Sequence, residues 1–130
     1  TPLDAEAMRV ALGPALDARS HRCIRGWIAT GVRAEVVDPR TTVPLDVDTL
    51  VASARKTGRV IVVDEGYEKY GVTGELASVI AEGAFYHLDA PVRRIGARDV
   101  PIPFSPVLED ATVPTAEMVA AAARELCGAS

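Results

Sequence analysis

Chemistry in this chain would have to come from few side chains. His21 and His87 are its two histidines, and neither has a Ser, Cys or carboxylate at a spacing that suggests a triad or a metal site. His87 reads as the end of a helix, where a partly positive imidazole suits the C-terminal dipole. Asp64, Glu65 and Glu68 follow an apolar run, the place where α/β sheets commonly carry binding residues. With no partner group beside them they form no acid–base pair, and solvated loop charge is the plainer reading. Gly66, Gly71 and Gly74 invite comparison with loops whose amides cradle phosphate at a helix start. The stretch lacks both the GxGxxG spacing and a P-loop lysine, so Gly71 and Gly74 read as turn and close-packing residues. Cys23 and Cys127 are too few for a disulfide framework, lack zinc spacing, and read as buried or idle thiols.

The elements that would position these residues follow from local patterning. After a polar lead-in over residues 1–7, Met8 to Leu12 reads as a short strand closed by Gly13-Pro14. Leu16, Ser20, Cys23, Trp27 and Ile28 share one helical face, which predicts a helix over about 15–29, weakened by Gly26 and by several basic residues. Ala34 to Val37 is a β-type run stopped at Asp38-Pro39. Asp46 is a good N-cap, Val47, Leu50, Val51 and Ala54 repeat at helical spacing, and Gly58 supplies the stop. Val60 to Val63 is an unbroken β-branched run of the kind buried on both faces of a parallel sheet. A polar loop is expected over 65–74, then a helix with Leu76, Val79, Ile80 and Gly83 on one face, ending near His87. A fourth strand is expected from Val92 to Ile95. Pro101, Pro103, Pro106 and Pro114 predict an extended segment over 99–115, because each proline removes an amide donor. Thr115 would cap a last helix with Val119, Ala122, Ala123 and Leu126 facing inward. Strands alternating with helices in this way predict a three-layer α/β/α sandwich.

Composition narrows the partners. At 130 residues, one domain spanning 1–130 is expected, and with aromatics at only 5% its core must be built mainly from Val, Leu, Ile and Ala. The net charge of −4, with both signs mixed along the chain, argues against nucleic acid as a partner. No apolar run approaches the roughly 20 residues that cross a bilayer, which argues against a membrane partner and leads to the expectation of a soluble, cytoplasmic protein.

Two ordered blocks go further. EVVDPRTTVPLDVDTLVASARKTGRVIVVDEG, residues 35–66, and a second block made by Asp89-Ala90-Pro91-Val92, Arg94, Asp99, Pro101, Pro103, Pro106, Leu108 and Glu109 resemble the transketolase C-terminal domain family. Within it they look most like the beta subunits of thiamine-diphosphate-dependent pyruvate and branched-chain 2-oxo acid dehydrogenases, over about residues 32–126. Gly66 stands where transketolase proper usually has a histidine, which favours the dehydrogenase branch. RSHRCIRGWIATG, residues 19–31, departs from the alanine-rich helix the family has there.

The resemblance implies a mostly parallel, about five-stranded sheet and allows one antiparallel edge strand. It implies a non-catalytic domain of an oxidoreductase that decarboxylates a 2-oxo acid and passes the acyl group to a lipoyl arm. Thiamine diphosphate and magnesium would be held by other domains, and the family's GDG followed by paired asparagines does not occur in this sequence. No catalytic, cofactor-binding or metal-binding residue is therefore assigned, and no cofactor is expected on this chain. The implied partners are the catalytic domains or subunits of the same enzyme, a second copy of the domain, and the small basic subunit-binding domain of a lipoyl acyltransferase. Asp89, Glu109 and Asp110 are the carboxylates expected to meet that basic partner. The alternatives are the C-terminal domain of a transketolase or deoxyxylulose phosphate synthase, and an interaction module without chemistry.

Overall fold

The run Val60-Ile61-Val62 governs the architecture, because successive strand residues point to opposite faces. All three are buried, yet they serve two separate apolar clusters: Val60 and Val62 pack with Leu50, Ala54, Leu76, Ile80 and Ala84, whereas Ile61 packs with Ile95, Val119, Ala122 and Ala123. A sheet strand that is apolar on both sides needs helices on both sides. A computed structural model describes residues 8–12, 34–39 and 41–128, and it shows that sandwich.

Four strands are present among the described residues: β1 (Met8–Leu12), β2 (Ala34–Val37), β3 (Val60–Tyr67) and β4 (Arg93–Ala97). They lie in the order β2-β1-β3-β4 and every pairing is parallel. Helices α1 (Val47–Thr57) and α2 (Val72–Ala84) contribute to the cluster on one face, and α4 (Ala116–Leu126) to the cluster on the other. Between β4 and α4 lies the short helix α3 (Pro106–Asp110).

The expected capping chemistry is in place. Asp46 accepts hydrogen bonds from the Thr49 amide at 3.1 Å and the Thr49 hydroxyl at 2.7 Å, and the hydroxyl, then the amide, hold its carboxyl below the ordinary value. Gly58 ends α1 at φ 72°, a left-handed conformation that costs a side-chain-bearing residue strain, and its amide donates to the Ala54 carbonyl. Thr115 caps α4 by accepting from the Met118 amide at 3.2 Å.

Several boundaries differ from the sequence expectation. The polar loop expected over 65–74 shrinks to 68–71: β3 continues to Tyr67 past a register irregularity after Val63, and α2 begins at Val72. The C-terminal end of this inner strand accepts the polar tail because its later residues grade into solvent, and Asp64 supports it by accepting from the Gly66 amide at 3.2 Å. The helix expected to run to about His87 stops at Ala84 and tightens into a 3₁₀ turn, Phe85–His87. The extended segment 99–115 contains α3, since proline at the first helical position forfeits no bond. The sheet has four described strands against about five expected. Pro101 and Pro103 lie in a stretch that pairs with none of them. The helix expected over 15–29 lies outside the described residues.

Candidate functional site

Asp89 is presented by a turn locked from both sides. Its amide donates to the Gly58 carbonyl at 2.7 Å, the preceding Leu88 amide donates to Phe85, and Pro91 stiffens the exit. The carboxylate is 56% exposed and lies 3.9 Å from Arg59, a loose and largely solvated pairing. A Cβ built on Gly58 would fall 2.4 Å from the Asp89 Oδ2, so the helix-ending glycine also makes room for this carboxylate.

Glu109 and Asp110 belong to α3 rather than to an extended arm. The Thr112 amide and hydroxyl both donate to the Glu109 carbonyl, and the Thr112 carbonyl accepts from the Arg98 amide, just past the end of β4. Asp89 is bonded beside the start of β3, whereas Glu109 and Asp110 lie beyond the end of the parallel β4. The backbone segments that carry Asp89 and the Glu109–Asp110 pair are therefore tied to opposite ends of the sheet. They do not form one cluster.

The other residues weighed for chemistry are dispersed. Glu68 lends its carbonyl to Arg94 Nη1 at 2.8 Å and its amide to the Ala97 carbonyl. His87 is exposed at the end of its 3₁₀ turn, and Cys127 is a free, half-buried thiol after α4. His21 and Cys23 lie outside the described residues. Among the described residues no group of three His, Cys, Asp or Glu side chains is placed to hold a metal ion, and no helix is long and apolar enough to cross a membrane. The niche at Gly71 is filled by the Tyr67 carbonyl oxygen, which a Cβ would strike, so it is a close-packing position and not an anion cradle.

One feature was not anticipated from the sequence. A groove of about 950 Å³ runs along α2, with Gly74, Ala77, Ser78 and Ala81 as its floor and Phe85 and Tyr86 at one end. Phe85 and Tyr86 are 67% and 94% exposed and pack edge to face on each other. The signal for the floor was available, since these four small residues repeat at i, i+3, i+4 and i+7, offset from the buried Leu76 and Ile80. The arrangement suits binding to another protein surface better than reaction with a small molecule, because its walls carry apolar area and few convergent polar groups.

Residues 25–119 match the family described as "Transketolase, C-terminal domain". Over 98 residues the chain is 43% identical to the acetoin:2,6-dichlorophenolindophenol oxidoreductase subunit beta of Bacillus subtilis (strain 168), covering 75% of this chain and 29% of that protein. Over 97 residues it is 42% identical to the mitochondrial pyruvate dehydrogenase E1 component subunit beta-1 of Oryza sativa subsp. japonica, covering 75% and 26%. Among solved structures it resembles "Split gene transketolase, inactive beta4 tetramer", with a TM-score of 0.69 and 27% identity over 95% of this chain and 39% of that one. The chain thus spans less than a third of the length of these curated relatives.

Proposed function

Because the chain belongs to the transketolase C-terminal domain family, we propose that residues 1–130 act as the C-terminal, non-catalytic assembly domain of a 2-oxo acid dehydrogenase beta subunit. The observation that carries this reading is the identity of about two residues in five to pyruvate dehydrogenase beta subunits, in a chain where several residues of the two resembling blocks do structural work. Asp46 caps α1, Gly58 ends it and admits Asp89, and Val60 to Val62 span the two clusters. In this reading the complete enzyme uses thiamine diphosphate and magnesium, and its other domains hold them. The described residues do not fit the magnesium diphosphate group, given the filled niche at Gly71 and the dispersed carboxylates. Calorimetry of the chain with thiamine diphosphate and magnesium should show no saturable binding; micromolar binding would overturn this part.

The domain's partners are then its catalytic domains or subunits, its own copy, and a lipoyl acyltransferase whose small basic domain meets acidic groups here. The acyltransferase would lie along the β4 side, touching Asp89 at one end of the sheet and Glu109 and Asp110 at the other. Pro91 holds the Asp89 turn in place, so little ordering cost accompanies binding. Titration with a subunit-binding domain should weaken as salt rises, and Asp89→Asn and Glu109→Gln should each slow association. Binding that ignores salt and both substitutions would remove the carboxylates from the interface. The similarity to a split-gene transketolase favours one second reading, a transketolase C-terminal domain, which predicts no affinity for any subunit-binding domain.

A further inference from the structure

Between β4 and α4 the chain carries its one Ser-Pro pair, Ser105-Pro106. Pro101 and Pro103 fix φ on the approach, and that stretch joins none of the described strands. Ser105 has φ −68° and ψ 126°, an extended backbone, and it is exposed, as are Phe104 before it and Val107 after it. It occupies the N-cap of α3, yet its hydroxyl takes no bond from the helix. The other two polar caps behave differently, since Asp46 and Thr115 each accept from the amide three residues on. The Glu109 amide donates to the Ser105 carbonyl at 2.8 Å, so the residue is held in place while its hydroxyl stays unspent. α3 buries none of its residues, so the single turn after Pro106 opens at little cost.

These features are what a protein kinase needs in a phosphoryl acceptor: an exposed hydroxyl without a competing bond, an extended backbone, and neighbours free to lie along a groove. Proline at the next position adds selectivity, because it lacks an amide donor and restricts the residue before it to extended conformations. We propose that Ser105 is a phosphorylation site for a proline-directed serine kinase that uses ATP. The Ser105 Oγ attacks the γ-phosphorus. A new O–P bond forms as the bond from that phosphorus to the β,γ-bridging oxygen breaks, ADP leaves, and the hydroxyl proton passes to the kinase's base. The product adds about −1.5 to −2 charges near neutral pH, and Glu109 and Asp110 follow four and five residues on. The consequence rests on the docking reading above: the phosphate joins the Glu109 and Asp110 end of the face that meets a basic partner, so modification accelerates docking.

Incubating the chain with ATP and a proline-directed kinase, then locating phosphate by fragment mass spectrometry, tests the site. One phosphate on Ser105 is expected; it should be lost in Ser105→Ala and slowed in Pro106→Ala, which keeps the hydroxyl. Circular dichroism matching wild type shows that both variants are folded. No phosphate on Ser105 while the kinase modifies its standard substrate, or an equal rate in Pro106→Ala, would overturn the site. Stopped-flow titration with a subunit-binding domain reads the consequence. The phosphorylated chain should associate about threefold or more faster at low salt, with the advantage closing as salt rises. An unchanged or slower association of the modified chain overturns the link to docking. If unmodified wild type does not dock at all, the docking reading falls, and the incorporation assay still decides the acceptor.

Discussion

Gly83 sits where α1 and α2 cross, and replacing it with alanine sets two effects of known size against each other. Alanine inside a helix gains about 0.5–1 kcal/mol over glycine, and at the next-to-last position of α2 the gain lies at the lower end. Against this, a Cβ at Gly83 would lie 2.4 Å and 3.0 Å from the two Val51 methyl carbons and 3.3 Å from the Val51 Cβ. Valine is confined at χ1 on a helix, and with both methyls and their parent carbon facing the site, no rotation clears it. Overpacking of this kind costs about 1–3 kcal/mol. Arg55 also donates to the Gly83 carbonyl at 2.9 Å and 3.2 Å, so a shift of α2 to relieve the clash would disturb that bond pair. The net expectation for Gly83→Ala is a loss of about 0.5–2 kcal/mol by urea unfolding at unchanged m value. In a Val51→Ala background both methyls are gone and only the 3.3 Å approach to the Cβ remains, so the same substitution should be near neutral or stabilising. The coupling between the two positions should then be about 1–3 kcal/mol. A Gly83→Ala effect equal in both backgrounds, or stabilisation in wild type, would refute the packing argument.

The remaining expectations follow from single contacts. Gly58→Ala should destabilise by about 1–2 kcal/mol because φ there is 72° and the new carbon meets Asp89, while Gly58→Asn, better tolerated in that region, should cost less in the same denaturation assay. Leu76, 1% exposed between α2 and β3, should lose about 2–5 kcal/mol as Leu76→Ala, and a loss under 1 kcal/mol would place it outside the core. Asp46 has a lowered pKa, so its contribution to stability is complete above the unfolded value near pH ~3.9 and is lost as pH falls through the lower folded value. The stability advantage of wild type over Asp46→Asn, followed by thermal unfolding against pH, should be largest near neutrality and shrink below about pH 4; an advantage constant into acid would contradict the assignment.

What the sequence determined by itself is the part of the molecule governed by neighbours along the chain. Asp46 meets Thr49 three residues on, Thr115 meets Met118, and Gly58 must follow the last turn it terminates, so each cap is legible from spacing. The β-branched run at 60–63 likewise announces a strand apolar on both faces, and with it helices on both sides. Family membership was legible for a related reason, since its two blocks hold many of these local signals in order. Only the tertiary structure decided the strand order, the extent of β3 past its apolar core, and the meeting of Gly74 with Arg94 or Gly83 with Val51. It also separated Asp89 from Glu109 and Asp110, which lie about twenty positions apart in sequence and at opposite ends of the sheet. Local chemistry limits each element's shape. Where two distant elements touch depends on crossovers and register, which no short stretch of sequence encodes.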